Sequence, residues 1–143
     1  MAKLHKILPI LACLTLLSCT PQEENINYKD GTFTGESQKH EADEDGVGAG
    51  YATCTITISD NTIVACEISL YELDGTLKDE NYGKEYSQDN YIKAQKAVQA
   101  ANKYAPDLLK YGNLKDVDVI SGATITYSEF KEAVDDALNK AKV

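Results

Sequence analysis

Two stretches of the chain alternate between apolar and polar residues. Cys54, Ile56 and Ile58 alternate with Thr55, Thr57 and Ser59, and Val64, Cys66, Ile68 and Leu70 alternate with Ala65, Glu67 and Ser69. A period of two marks half-buried strands, and Asp60-Asn61 between them is a turn signal, so residues 51–70 are predicted to form a hairpin. Both apolar sets are even-numbered, and a two-residue loop at Asp60-Asn61 would turn one of them outward. A three-residue loop over 59–61, with Asn61 left-handed, pairs Ile58 with Thr62 and keeps both sets inside. That register puts Cys54 directly opposite Cys66 on a hydrogen-bonded pair, a geometry that suits a cross-strand disulfide poorly. Two reduced core cysteines are expected.

The period then changes. Tyr91, Ala94, Val98 and Ala101 share one helical face, which predicts a helix from about Asp89 to Tyr104, ended by Pro106. Pro106 starts a short turn that Gly112 closes. Residues 117–120 read as a buried strand end. Phe130, Ala133, Val134, Ala137, Leu138 and Ala141 recur at helical spacing in a last helix. Thr126 and Glu129 stand in capping-box relation at its start, with Ser128 as an alternative cap. Before the hairpin, Asp30-Gly31 precedes a short strand over residues 32–37. Residues 38–50 form a polar loop with acids at Glu41, Asp43, Glu44 and Asp45, whose spacing departs from a calcium-binding loop. Strands early and helices late give an α+β domain, a small antiparallel sheet with helices packed against it.

The first residues follow another logic. Lys3, His5 and Lys6 precede an apolar run over residues 7–17, too short for a membrane span and suited to an export signal. The run ends Leu16-Leu17-Ser18-Cys19, which resembles the lipobox of bacterial lipoproteins. That resemblance implies cleavage after residue 18 and acyl chains, palmitate among them, on Cys19. Several chains together anchor firmly where one binds only marginally. Residues 1–18 are thus assigned to a lipoprotein signal peptide, 19–27 to a flexible polar tether and 28–143 to the domain.

Charge removes some functions. The net charge is −9, and removal of residues 1–18 deletes two lysines and no acids, giving −11. All 14 basic residues are lysine. Such a chain lacks the basic patch that nucleic acid requires, and lacks the arginine fork that clamps a free phosphate ligand. His40 is the one histidine after residue 18, so a catalytic triad would rest on it alone. A zinc site would need Cys54, Cys66, His40 and a carboxylate with no short ligand spacing. His40 reads as a solvated loop residue.

The segment that carries chemistry is Asp118-Val119-Ile120-Ser121-Gly122-Ala123-Thr124, followed by Ile125-Thr126 and the last helix. Gly122 gives the backbone freedom to approach a ligand, and Ser121 and Ala123 leave room around it. The helix behind supplies unpaired N–H groups and its positive dipole end, so the turn is built to meet a phosphate. D-x-x-S-G-A-T resembles the acceptor motif of the FMN-binding domain family. Residues 28–35 (YKDGTFTG) and the hairpin at Asp60-Asn61 resemble the family as well, so the likeness covers about residues 28–143. It implies that a flavin transferase joins the phosphate of FMN to Thr124 as a phosphoester. Ser121, Gly122 and Ala123 then line the attachment point. Asp118 matches the family's recognition acid, toward flavin or transferase, and Thr126 is a second hydroxyl within reach. Tyr71, Tyr82, Tyr86 and Tyr91 cluster around the polar segment 77–83, either as stacking partners for a flavin ring or as ordinary surface tyrosines.

These readings imply a membrane-tethered extracytoplasmic electron carrier with covalent FMN, similar to flavin subunits of ion-pumping quinone-linked complexes but without their membrane helix. Its implied partners are the membrane through the lipid anchor, the transferase during maturation, and redox proteins or a quinone-linked complex. The alternative is a non-redox surface lipoprotein that uses the domain as a binding module. No substrate or nicotinamide motif marks an enzyme with its own substrate.

Overall fold

The computed structural model describes residues 26–42 and 48–143. The signal peptide, Cys19, most of the tether and the acids at 43–45 lie outside the described residues. Three strands, β1 (Gly31–Glu36), β2 (Tyr51–Ser59) and β3 (Thr62–Tyr71), form an antiparallel sheet in the order β1-β2-β3. Two helices follow, α1 (Gln88–Tyr111) and α2 (Thr124–Ala141), with a 3-10 turn at Leu114–Asp116 between them. The expected α+β architecture is present. α2 packs on β1 and β2, and α1 packs on β3. Cys54, Ile56 and Ile58 of β2 are buried against Tyr104, Phe130, Val134 and Ala137 of the helices. On the opposite face, Thr32 pairs with Thr57 and Thr34 with Thr55 through hydroxyl contacts of 3.1 and 2.9 Å.

The hairpin keeps its faces by a different route from the one expected. Ser59 pairs with Thr62 across a two-residue turn, and Asp60 and Asn61 both take positive φ (50° and 60°). Those angles belong to the mirror-image turns whose twist matches paired strands. The turn alone would put β3 out of phase, as the sequence argument held. A bulge beside Thr57 and Ile58 adds one residue: Ile58 faces Ile63 and Thr57 faces Ala65. Val64 is the residue left over and is turned outward, 55% exposed. Cys54 consequently faces Ile68, and Cys66 faces Ile56. The two cysteines are diagonal rather than opposite; both are free, with sulfurs 3.5 Å apart.

α1 does not stop at Pro106. It runs to Tyr111 and is closed by left-handed Gly112, with Ser87 capping its start. The proline removes one donor, toward the Asn102 carbonyl, but both residues lie on the exposed side where water replaces that bond. Tyr104, Ala105 and Leu108 are buried on either side of Pro106, so packing carries the helix through. Residues 117–120 are not a strand: Val117 is buried, but Asp118 and Val119 are exposed.

Candidate functional site at the start of helix α2

The motif sits where the sequence places it, between the 3-10 turn and α2, but the local geometry is its own. Ala123 N donates to Ile120 O at 3.0 Å and closes a tight turn over Ser121 and Gly122. Gly122 has φ 80°, a conformation that a side chain would strain, and open space lies where a Cβ would project. Two tyrosines fix the segment from below. Tyr104 Oη accepts from Ile120 N at 3.1 Å, and Tyr127 Oη donates to Val117 O at 2.9 Å. Their rings meet edge-on, and Tyr104 stacks on Phe130 at 5.2 Å. Sequence reasoning did not single out Tyr104 and Tyr127; the signal available was their position on the inner faces of two amphipathic helices.

Thr124 is the first residue of α2 and is exposed; among the described residues its hydroxyl has no hydrogen-bond partner. Ala123 precedes it as a helix cap that offers no side-chain bond. The expected capping box is therefore absent. Thr126 lies inside the first turn with only 4% of its surface exposed, and Glu129 is fully buried and does not reach back to the helix start. Ser128 donates to Thr124 O within the helix instead of capping it. The N–H groups of the first turn have no carbonyl one turn earlier to bond. No acid stands in that turn. An exposed hydroxyl, free amides, the positive dipole end and an unobstructed Gly122 fit a phosphate ester at Thr124. Ser121 and Asp118 are exposed beside it, and Ala123 is buried as packing.

Next to this helix start runs the segment after the undescribed residues. A Cβ built on Gly48 would lie 2.9 Å from Ile125 Cδ1, so Gly48 touches the first turn of α2. Its neighbour Ala49 lines a cavity of about 250 Å³ with Tyr82, Gly83, Tyr86, Asn90 and the acids Glu72 and Asp74. A second depression shares Tyr82, Gly83, Tyr86, Glu72 and Asp74. Gln95 of α1 holds the 79–83 loop by donating to the carbonyls of Asp79 and Tyr82, at 3.1 and 3.0 Å. The four tyrosines of the expected cluster divide here. Tyr82 and Tyr86 line the cavity, Tyr71 stacks on Tyr51 at 5.2 Å, and Tyr91 donates to Glu80 O.

Beneath the same loop lies a charged pair that the sequence did not announce. Lys78 and Glu129 are both buried, with Nζ and Oε1 3.9 Å apart, and neither oxygen of Glu129 has a hydrogen bond. Lys78 Nζ donates to Gly48 O at 3.4 Å and sits 5.2 Å from the centre of the Tyr82 ring. Gly50 makes room for it, since an added Cβ would lie 2.6 Å from Nζ and 2.0 Å from Tyr71 O. Burial raises the Glu129 carboxyl above its ordinary range, opposed by Lys78. Burial also lowers the Lys78 ammonium, opposed by Glu129 and Glu72. His40 is not a solvated loop residue. It exchanges backbone bonds with Gly50, and its Nε2 lies 3.1 Å from Glu132 Oε2.

Residues 48–139 match the model of the FMN-binding domain. The chain belongs to the FMN-binding domain family. FMN is accordingly the cofactor this domain is built to bind. The fold resembles the crystal structure of the CPE2226 protein from Clostridium perfringens at a TM-score of 0.57 and 24% identity, over 80% of this chain and 88% of that one. A solution structure from Clostridium thermocellum aligns at a TM-score of 0.44 and 24% identity, over 78% and 91%. No curated protein matches the chain. The first likeness bears on the fold alone. Among the described residues, no helix is long and apolar enough to cross a membrane.

Proposed function

We propose that this protein is an extracytoplasmic electron carrier, tethered to the membrane by acyl chains on Cys19, whose FMN is joined through its phosphate to the Thr124 hydroxyl. Bound FMN supplies transfer of one or two electrons; the protein positions it and sets its surroundings. The observation that carries the reading is Thr124 itself, an exposed and unpartnered hydroxyl on the first residue of a helix whose opening turn holds no acid. Thr126 is the weaker acceptor because its side chain is buried.

The chain's residues divide the work by charge. Free amides at the α2 start meet the doubly linked phosphate, and Gly122 leaves the approach open. The cavity across Gly48 and Ala49 carries Glu72 and Asp74, which repel a phosphate and leave the place to the uncharged ring. Tyr82 and Tyr86 offer it flat apolar faces. Asp118 is exposed before the turn, and its role in this reading is recognition by the flavin transferase or contact with the flavin. A covalent bond keeps the cofactor on a protein that has left the cytoplasm, where free FMN is made. Redox proteins or a quinone-linked complex are the partners of such a carrier.

The test is production with and without a flavin transferase, followed by fluorescence of the denatured protein band. Flavin fluorescence that needs the transferase and disappears in Thr124→Ala supports the reading. A colourless wild type made with the transferase contradicts it and leaves a non-redox lipoprotein.

A further inference from the structure

Lys78 and Glu129 are the one charged pair buried on both sides among the described residues, and nothing in the attachment chemistry uses them. A buried carboxylate with neither oxygen hydrogen-bonded costs the fold stability, and replacing such a pair with apolar side chains is often neutral or better. Its position is the informative part. Lys78 Nζ lies behind Tyr82, 5.2 Å from the ring centre, and Tyr82 forms the wall of the 250 Å³ cavity. Through Gly48 the same ammonium touches the segment that meets the first turn of α2. The pair thus stands between the phosphate end of the site and its cavity, in a low-dielectric setting where charge is felt strongly.

We infer that Lys78 and Glu129 form a redox-linked proton site, binding a proton when negative charge arrives in the adjoining cavity and releasing it when that charge leaves. The inference rests on the flavin reading above, since the charge in question comes with reduction of the bound FMN. The balance is simple. An external reductant supplies electrons to the flavin, solvent supplies the proton, and the pair exchanges no electrons. At rest the pair is neutral overall, whether the proton sits on Lys78 or on Glu129. Uptake of one proton leaves both protonated, with a net charge of +1 facing the cavity wall. Burial favours the neutral carboxyl of Glu129 and equally the uncharged amine of Lys78, so the negative charge arriving in the cavity is what holds the added proton.

Other titratable groups face the pair. His40 and Glu132 act on Glu129 with opposite sign, and His40 Nε2 lies 3.1 Å from Glu132 Oε2. Glu72 and Tyr82 face Lys78 from the end of β3 and from the 79–83 loop. His40 also acts on Glu129, so its contribution is separated by a substitution of its own.

The experiment uses full-length protein matured with a flavin transferase. The reduction potential of the bound flavin is measured against pH from 5 to 9, with dithionite as reductant, in wild type, Glu129→Gln and Lys78→Met, each also with His40→Asn. Wild type is expected to take up more protons per electron pair than Glu129→Gln, by up to about one, over a limited pH interval. The excess should persist with His40→Asn and disappear in Lys78→Met. Infrared difference spectra of wild type, reduced minus oxidised, should show a protonated-carboxyl band that shifts with labelled glutamate. That measurement holds even where a variant fails to fold. Superposed potential curves in foldable variants, or no carboxyl band in wild type, would overturn the inference while leaving the flavin in place. Purified protein without flavin would overturn the reading beneath it, and this one with it.

Discussion

Glu129 and Lys78 show how one residue's environment sets both stability and its pH dependence. Burial lifts the Glu129 carboxyl above the ordinary 4.5, so the folded chain keeps a proton that the unfolded chain has lost. That stabilising contribution is complete below about pH 4.5 and fades as pH rises through the folded value. Lys78 has the opposite sign. Its folded value lies below 10.5, so its contribution is complete above that pH and fades as pH falls through the folded value. Between the ordinary values of 4.5 and 10.5, burial works against the charged form of each group. Glu129→Gln should therefore gain stability relative to wild type as pH rises from 4.5 toward 7, measured by urea unfolding at several pH values. A difference that does not change with pH would contradict this assignment. Lys78→Met leaves the carboxylate buried alone and should cost on the order of 3–5 kcal/mol at pH 7, with most of it recovered in Lys78→Met/Glu129→Leu.

Elements in this fold are decided by packing where local signals conflict. Pro106 is a strong stop signal, yet α1 passes through it because Tyr104 and Leu108 are buried on the same side and the broken bond faces water. Pro106→Ala restores that donor and should raise stability, by up to about 3 kcal/mol, measured as an increase in the urea midpoint. An unchanged or lower midpoint would mean that the helix is adapted to the proline. The hairpin carries a similar lesson. The parity of the apolar residues was legible, and so was the need to keep both sets inside. Parity cannot distinguish a three-residue loop from a two-residue turn followed by a bulge, because each restores the phase. The choice went to positive φ at both Asp60 and Asn61, which their side chains tolerate. The diagonal thiols follow from that bulge. Both Cys54 and Cys66 should react with a thiol reagent in denaturant without prior reduction, and a requirement for reductant would count against the free pair.

At the scale of the whole molecule, the sheet, the helix faces and the position of the turn before Thr124 were legible because each repeats a local pattern or concentrates a motif. Lys78 was not. It sits in a polar stretch, LKDENYG, whose composition reads as surface, and it is buried only because Gly50 and a return along the end of β3 make room. Glu129 was misread as a capping residue because it stands three places after Thr126, whereas the helix begins earlier, at Thr124. Tertiary neighbours decided both, and they are distant in sequence. Export and anchoring belong to this scale as well. Cys19→Ser should release the protein from membranes or stall it unprocessed, assayed by fractionation. Normal processing with membrane retention would remove the lipid anchor from the account.

The central claim is a flavin on one named hydroxyl, and peptide mass spectrometry tests it most directly. The protein is produced with a flavin transferase and FAD, digested, and the peptide spanning residues 116–131 is fragmented. The account predicts an FMN-sized mass addition, less one water, localised to Thr124. The same addition on Thr126, or an unmodified peptide from wild type, would contradict it.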